Sequence, residues 1–422
     1  MRRDGIIFLT VPWAQTASAT KRAEAAEALA RSWRAGGLTE DARRDAERAM
    51  MTLLDDPAPL VRRRLAEYFA AQTHAPRALV SALASDQSDI AAPVLAHSPL
   101  LSDAELIDIA ATGDALAQEA IAHRLQLPAS VCAALAEVGA SAAAIALARN
   151  PGADIPEFSL RRLVTRLGEI PELREALLTR RRLPATVRSE LIAATARCLQ
   201  TLVLERSWLS ETRATLALRE ARDRANVALA YDAADHANVG LRDLVAHLRR
   251  SEQLTASLVL RALLSGQRAL FEAALVELSG LRADKIAGLL RHFTGAGFAA
   301  LFTRAGLPQK YLPAFRAALA AGQLHGQTQA MVNEGPRLSL AMIENVVAVC
   351  DALNDGELDR LMALLRRFEL EAALEDARDE IRRIDQNART EMILAPRQAP
   401  KGVERGPLID LSAFETSFLS AA

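Results

Sequence analysis

The chain has little of what marks secreted proteins, membrane proteins and basic nucleic-acid-binding proteins. Its three cysteines, Cys132, Cys198 and Cys350, lie far apart and include no Cys-x-x-Cys pair. An odd, scattered set argues against a disulfide framework and is typical of a reducing compartment. No run approaches the ~20 apolar residues of a membrane-spanning helix. The formal charge of −1 gives no overall attraction to nucleic acid or to an anionic membrane.

The N-terminal residues share some features of an export signal peptide and lack others. It contains two arginines, a short apolar run and the tripeptide Ala17-Ser18-Ala19. Asp4 and Pro12 interrupt the apolar run, and a sequence typical of a helix follows directly. We therefore expect a cytoplasmic protein that has no contact with a membrane.

Motifs that carry catalysis or bind cofactors are also missing. The chain has no Gly-rich phosphate loop, no Gly-x-Ser-x-Gly, no His-Glu-x-x-His and no neighbouring Cys and His. Asp232, Asp235 and His236 share one helical face, but a metal site needs three or four converging ligands and no second pair is found. We therefore expect no catalytic residues, no metal and no cofactor, and hence a protein that is not an enzyme.

The residues that are abundant favour helices. Half of the residues are hydrophobic but only 4% are aromatic, so alanine and leucine supply most of the apolar mass. Alanine, leucine, arginine and glutamate are good helix formers, and small side chains let helices approach closely. Strand-type alternation is confined to "IIFLTV" near the start. The sequence predicts an all-α protein.

A short phrase recurs along the chain: an aliphatic residue, then usually Ser, Thr or Pro, then a helix start. It begins at Leu101, Leu127, Ile155, Leu183, Leu209, Leu254, Leu281, Leu307 and Leu338. The spacings are 26, 28, 28, 26, 45, 27, 26 and 31 residues. A hydroxyl can cap the first helical turn, and proline suits a helix start. A period of 26–28 residues accommodates two helices of about ten residues, and such pairs must stack into an α-solenoid to bury their apolar faces. The alternative is an irregular helical bundle in which the phrases mark ordinary helix starts.

The stretch "DDPAPLVRRRLAEYF" gathers a cap, two prolines and three consecutive arginines. Asp56 is suited to cap a helix whose apolar face begins at Val61. At 100° per residue, Arg62 falls on one flank of that face, Arg64 near the other, and Arg63 points to solvent. Because three consecutive residues fan out around a helix, they cannot form a single basic patch.

This stretch resembles the second helix of a HEAT repeat, in which Asp-x-x-Pro-x-Val-Arg is a familiar pattern. Together with "TKRAEAAEALARSW", "APRALVSALASDQSDIAAPVLAHSPLLSDAELIDIAATGD" and "ALLTRRRLPATVRSELI", it is similar to a family of HEAT-like proteins of unknown function from alphaproteobacteria. The likeness covers about 14–191, and more loosely extends to about 319. It implies that Arg62 bridges to an acidic turn residue of an adjacent repeat, so that Asp56 and Arg62 have an inter-repeat structural role. It implies no catalytic residues.

The phrases, the insertion and the changes in composition divide the chain into five predicted parts. These are a leader and N-terminal helix (1–37), a HEAT-like repeat solenoid (38–200), a second helical repeat unit (201–321) with an insertion at 219–250, a C-terminal helical hairpin (338–394) and a disordered tail (395–422).

The strongest charge asymmetry lies at residues 161–188, which hold eight arginines and three glutamates. The candidates for binding an anion or a partner are Arg161, Arg162, Arg166, Arg180, Arg181, Arg182 and Arg188. On consecutive repeats they could line one surface and neutralise phosphates. The alternative is a solvated face with ion pairs inside the fold. Our primary hypothesis is a scaffold or adaptor that binds a protein partner on the solenoid surface. The second is a nucleic-acid or nucleotide-binding module that uses this arginine-rich face.

Overall fold

The predicted all-α class is confirmed. The computed structural model describes residues 16–234, 239–325, 336–353 and 358–394, and within these ranges it has helices, turns and no β-strand. The predicted tail and the first fifteen residues of the predicted leader lie outside the described ranges. The helices are α1 (Ala19–Arg34), α2 (Glu40–Thr52), α3 (Pro59–Phe69), α4 (Arg77–Ala84), α5 (Ser88–His97), α6 (Asp103–Thr112), α7 (Ala115–Ala122), α8 (Ala129–Val138), α9 (Ser141–Arg149), α10 (Glu157–Leu167), α11 (Pro171–Leu178), α12 (Ala185–Glu205), α13 (Glu211–Ala234), α14 (Val239–Arg250), α15 (Ala256–Leu264), α16 (Arg268–Ser279), α17 (Ala283–Arg291), α18 (Ala296–Arg304), α19 (Leu312–His325), α20 (Leu340–Asp351) and α21 (Asp359–Leu394).

Each recurring phrase stands directly before a helix. Its second residue is the helix-capping residue before α6, α8, α10, α12, α15, α17 and α20. At α6 the Ser102 hydroxyl accepts the Glu105 backbone N–H while the Glu105 carboxylate accepts the Ser102 N–H, which completes a capping box. Side-chain caps also form at Thr255 and Ser339, whereas Pro128, Pro156, Pro184 and Arg282 make no side-chain cap, so the period marks helix starts of more than one local chemistry.

The helices stack in two layers. In one layer the neighbours are α1, α3, α5, α7, α9 and α11, and in the other they are α6, α8, α10, α12, α14 and α16. Apart from α12, which packs most extensively on its chain neighbour α13, each of these helices that has a following helix in its layer contacts that helix more extensively than its chain neighbours. This is the arrangement of a helical repeat, in which one pair buries its apolar faces only by stacking on the next pair.

The interval between Leu183 and Leu209 breaks the two-helix pattern. The expectation of two helices of about ten residues is wrong there, because the interval holds the single 21-residue helix α12. The reason is visible in the sequence: residues 185–205 contain neither glycine nor proline. Intervals that do form pairs carry a helix-ending glycine such as Gly113 or Gly139. Helix α13 is also long, with 24 residues, and it packs along α12 as an antiparallel hairpin.

The buried side chains form two large groups and a smaller one between them. The first runs from Ala23 to Ala194 and the second from Val259 to Ala372. The smaller group, which runs from Val227 to Leu270, lies where α12–α16 meet. Residues 200 and 201, where the sequence puts a domain boundary, lie inside α12. The predicted division into domains stays a prediction.

Candidate functional site

The arginine-rich segment does not converge on one surface. Arg161 and Arg162 are adjacent on α10, yet they reach in opposite directions along the stack. Arg161 Nε donates to Glu190 on α12 at 2.7 Å, whereas Arg162 donates to both carboxylate oxygens of Glu137 on α8 at 2.7 and 2.8 Å. Neighbouring residues on a helix diverge by about 100°, and the neighbouring repeats on either side supply the acids. Both charges therefore link repeats.

Two more candidate arginines bind backbone oxygens at helix ends. Arg166 donates to the carbonyls of Ala136 and Gly139 at the end of α8, at 2.7 and 3.0 Å. Arg180 donates to the carbonyls of Ala148, Asn150 and Ala153, at 2.8–3.1 Å. The last carbonyls of a helix have no partner within the helix, so these guanidinium groups complete the hydrogen bonding of α8 and α9.

The last three candidates are more open. Arg188 Nη1 lies 3.2 Å from an Asp232 oxygen on α13. Arg181 and Arg182 are exposed in the turn after α11, and Arg182 adopts the left-handed φ of 64°. Within the described ranges no hydrogen bond or ion pair is found for either side chain. Of the seven candidates for neutralising phosphates, Arg181 and Arg182 therefore remain open. Arg188 remains in an exposed ion pair.

Asp56 and Arg62 lie in a chain of charges that crosses three stacked helices. Arg22 of α1 donates to both oxygens of Asp56 at 2.6 and 2.8 Å. Arg62 of α3 donates to the Asp56 carbonyl at 2.6 Å and to both oxygens of Asp86, in the turn before α5, at 2.7 and 3.2 Å. The Arg22 hydrogen bond holds the pKa of Asp56 below its usual range, and the bond to Asp86 raises the pKa of Arg62. Arg63, expected in solvent, is half exposed and its guanidinium reaches Asp89.

Three side chains bind backbone carbonyls at the ends of neighbouring helices, and we call them the carbonyl ladder. The sequence did not predict that they act together. The members of the ladder are Arg124, Asn150 and Arg180, which follow α7, α9 and α11. Arg124 binds the carbonyls of Leu95 and Ser98 at the end of α5, both at 2.6 Å. Asn150 Nδ2 binds the carbonyls of Ala122 and Arg124 at the end of α7, at 2.8 and 2.7 Å. The available signal was a polar residue three to five positions before the phrases at Leu127, Ile155 and Leu183.

The α12–α13 hairpin extends beyond the stacked pairs. The buried residues of α12 end at Ala194, and before Asp223 α13 has one buried residue, Ala214. Cys198 still contacts Arg174 of α11, so the part of α12 that projects is residues 199–205, about 10 Å. A Schellman-type turn closes α12: Ser207 has a left-handed φ of 53°, and the Trp208 N–H donates to the Val203 carbonyl at 3.1 Å. This turn fixes the position of Trp208 at the end of the hairpin.

The end of the hairpin carries exposed apolar side chains, which we call the hairpin tip: Leu199, Leu202, Trp208, Leu209 and Leu216. Trp208 is 67% exposed. Leu209 is the first residue of a recurring phrase, and its counterparts elsewhere are buried or half buried. Arg206 and Arg213, both exposed, flank these side chains. A clustered apolar surface with a polar rim is characteristic of a site that contacts another molecule.

One family matches the chain: it is described as "Uncharacterised protein conserved in bacteria (DUF2336)", and its match covers residues 90–346, more than half of the length. The chain belongs to this family. No curated protein and no solved structure matches the chain.

The DUF2336 match separates the candidate regions. The carbonyl ladder, the arginine-rich segment and the hairpin tip lie inside residues 90–346. Asp56, Arg62 and helix α21 lie outside the match. The tip therefore belongs to the part of the chain that defines the DUF2336 likeness, while the Asp56–Arg62 links and α21 belong to its flanks.

Several titratable groups of this DUF2336 protein are buried. Burial raises the pKa of the Cys132 thiol to about 12 and that of Cys350 to about 11, so both are protonated at neutral pH. Burial also lowers the pKa of His247, whose Nδ1 lies 3.8 Å from Glu190. Burial raises the pKa of Asp223 to about 6 despite three nearby arginines. These groups lie inside the helix stack, so we expect them to affect the stability of the fold rather than to contact a ligand.

A charged cleft of about 200 Å³ lies between α13, α15 and α21. Glu371 lines this cleft, accepts two hydrogen bonds from Arg261 and lies 2.6 Å from Arg224. Burial alone would raise the pKa of Glu371. The hydrogen bonds from Arg261 and the charges of Arg261 and Arg224 lower this pKa by more than burial raises it, so the pKa of Glu371 is below its usual value. Arg367 of α21 bonds Glu220 of α13 at 2.5 Å. The ion pairs in this cleft attach α21 to the rest of the fold.

Within the described ranges no group of three or more His, Cys, Asp or Glu side chains is arranged to hold a metal ion, and Asp235 and His236 lie outside those ranges. None of the described helices combines the length and the apolar character that crossing a membrane requires.

Proposed function

We propose that this DUF2336 protein is a non-enzymatic scaffold or adaptor that binds a protein partner, and that the hairpin tip is the principal contact. The observation that carries the proposal is the exposure of Trp208 beside Leu209, which is itself exposed although the first residue of the other recurring phrases is buried or half buried. Exposing five large apolar side chains together has a cost in solubility that a partner surface removes. Tryptophan flanked by arginine is the composition of interface hot spots.

The rigidity of the stacked helices supports the same proposal. The Arg161–Glu190 contact holds the base of the hairpin to α10, and the Glu137 and carbonyl-ladder contacts link the repeats before it, so a partner would meet a preorganised surface. Less ordering entropy is lost when a binding surface is rigid before it binds. We also propose that the helix pairs are HEAT-like, of the kind found in alphaproteobacteria, and the Asp56–Arg62–Asp86 links support this feature. We further propose that the protein is cytoplasmic, which the scattered cysteines support.

The nucleic-acid alternative has less support. Arg161, Arg162, Arg166 and Arg180 already bond to Glu or to carbonyl oxygens. Of the seven candidate arginines, Arg181 and Arg182 remain to contact phosphate, with Arg188 in its exposed pair, and affinity for phosphate grows with the number of such contacts.

The test compares the partners of three full-length chains purified from the bacterium that makes the protein. Trp208→Ala combined with Leu209→Ser should reduce recovery of one specific protein by about tenfold or more, since an aromatic hot spot is worth about 2 kcal/mol. Leu125→Ser is the matched control, because Leu125 is an exposed leucine elsewhere on the surface. Nuclease treatment should leave that recovery unchanged. Identical partner sets from all three chains would overturn the proposal, and loss of the partner after nuclease treatment would favour the alternative.

A further inference from the structure

The charged cleft between α13, α15 and α21 is lined by more arginines than carboxylates. Its arginines are Arg224, Arg261, Arg337, Arg378 and Arg382, and its carboxylates are Glu371, Glu375 and Asp379. All three carboxylates belong to α21, whereas α13, α15 and the segment just before α20 contribute one arginine each. The lining therefore has a formal excess of two positive charges, in a chain whose total charge is −1.

Arg261 has a hydrogen-bond donor to spare. It donates to both oxygens of Glu371 through Nη1 and Nη2, at 2.8 and 2.7 Å. Its Nε is buried and has no acceptor within the described part of the chain. A guanidinium group can bind acceptors along more than one edge, and a buried donor without an acceptor costs free energy. The lining of the cleft therefore lacks an acceptor that a bound anion can supply.

The side of the cleft formed by α21 also has charges to spare. Asp379 is already shared, because it contacts Arg337 and lies 3.6 Å from Arg382. The side chains of Glu375 and Arg378 have no ion pair and no hydrogen bond within the described ranges. Residues three or four positions apart share a face of a helix, so Glu375, Arg378 and Arg382 border the same space. A carboxylate and an exposed arginine are thus available to a ligand.

We propose that the cleft binds a protonated phosphate group, as the free ion or at the end of a small phosphomonoester. The volume of about 200 Å³ is below the ~300–1,000 Å³ of sites for drug-sized ligands, and it suits a small anion. Arg261, Arg378 and Arg382 donate to the charged oxygens, since guanidinium groups match the geometry of phosphate. Glu375 accepts a hydrogen bond from the remaining O–H group.

Glu375 makes the site selective for phosphate over sulfate. Phosphate retains at least one O–H group at neutral pH, whereas sulfate has none. A sulfate oxygen would face the Glu375 carboxylate with no proton between them, and the two negative charges would repel each other. The selectivity between two ions of the same shape therefore reports on this carboxylate.

Isothermal titration calorimetry of the full chain, at pH 7 and constant ionic strength, tests the proposal. Thermal unfolding is less suitable, because both ions stabilise folded proteins by their exclusion from the surface. We expect inorganic phosphate to bind with a Kd on the order of 1 mM or below, and sulfate to bind at least about tenfold more weakly. Trp208→Ala should bind phosphate normally, which separates this proposal from the proposed function.

Three variants of α21 locate the site. Arg378→Gln should weaken phosphate binding about tenfold, because it removes a charge-assisted hydrogen bond. Arg383→Gln is the matched control, since Arg383 pairs with exposed Glu380 outside the cleft, and its Kd should stay within about twofold of the original. Glu375→Gln should narrow the preference for phosphate over sulfate to about threefold or less. Circular dichroism should show the same helix content in all three.

Glycerol 3-phosphate distinguishes the two sources of the phosphate group. At pH 6 about half of a phosphomonoester keeps its proton. Binding tighter than that of inorganic phosphate at the same pH assigns the site to a phosphomonoester, and weaker binding assigns it to the free ion. The absence of binding by both, equal affinities of the original chain for phosphate and sulfate, or equal losses in Arg378→Gln and Arg383→Gln would each overturn the proposal.

Discussion

Arg261 in α15 and Glu371 in α21, which lie 110 positions apart in the sequence, form a two-point ion pair with N···O distances of 2.8 and 2.7 Å. The Arg261 side chain is 3% exposed, and its guanidinium also lies over the Phe368 ring, 4.6 Å from the centroid. Removing one member of a buried pair leaves the other charge without a partner in a low dielectric. The pair therefore controls how firmly α21 is held to the fold.

We predict that Glu371→Ala lowers the free energy of unfolding by about 3 kcal/mol, because Arg261 would stay buried and unpaired. Glu380→Ala is the control on the same helix, since Glu380 pairs with Arg383 and both side chains are exposed. It should cost less than about 0.5 kcal/mol. Urea unfolding followed by circular dichroism measures both values, and a small effect from Glu371→Ala would show that the pair contributes little.

Arg62 and Arg63 should differ although they are adjacent. Arg62→Ala removes bonds to Asp86 and to the Asp56 carbonyl in a region where the Arg62 and Asp86 side chains are 12% and 15% exposed. We predict a loss of about 1–3 kcal/mol in the free energy of unfolding. Arg63→Ala removes a more exposed pair with Asp89 and should cost less than about 1 kcal/mol. Thermal unfolding compares the two, and equal losses would contradict the assigned contacts.

Arg180 and Arg181 are adjacent, but Arg180 makes structural hydrogen bonds whereas the side chain of Arg181 is exposed. Arg180→Ala removes the guanidinium donor from the carbonyls of Ala148, Asn150 and Ala153, at and just after the end of α9, and we predict a loss of about 1–3 kcal/mol in the free energy of unfolding. Arg181→Ala should be neutral within about 0.5 kcal/mol. Parallel unfolding curves in urea give both numbers. If Arg181→Ala were the more damaging change, the open position assigned to its side chain would be wrong.

Asp223 should make the protein less stable as the pH rises. Its pKa is raised to about 6, above the unfolded value of about 3.9, so between these values the folded state binds more protons than the unfolded state. The free energy of unfolding therefore falls as the pH rises through this window. We predict that Asp223→Asn stabilises the fold by about 2 kcal/mol at pH 7, and by much less at about pH 4.

Asp232→Asn is the control for the Asp223 measurement, because Asp232 lies on the same helix in an exposed pair with Arg188. Denaturant unfolding at the two pH values should show no comparable gain from it. A destabilising effect of Asp223→Asn at neutral pH would mean that the three nearby arginines outweigh burial.

Helix starts could be predicted from the sequence because their chemistry is local. Ser102 and Thr255 cap helices with side-chain bonds to backbone N–H groups three residues away, which any reader of the sequence can anticipate. The absence of glycine and proline from 185–205 was an equally local signal for one long helix, although the regular spacing concealed it.

The direction of the arginines could not be predicted in the same way. Arg161 and Arg162 look alike in the sequence, and their partners, Glu190 and Glu137, belong to helices that meet α10 only after stacking. The exposure of Leu209 has the same origin, because nothing in "LSETRATLA" distinguishes it from the buried phrases. Leu209 is exposed because it follows the long helix α12, whose end extends beyond the stack.

The carbonyl ladder imposes an order in time as the chain is synthesised. Each ladder side chain binds oxygens 26 to 32 positions earlier in the chain. A helix such as α5 thus leaves the ribosome with an open carboxyl end, which closes only after Arg124 has emerged. Each of these carboxyl ends therefore lacks its side-chain donor until the residue 26 to 32 positions later has been synthesised.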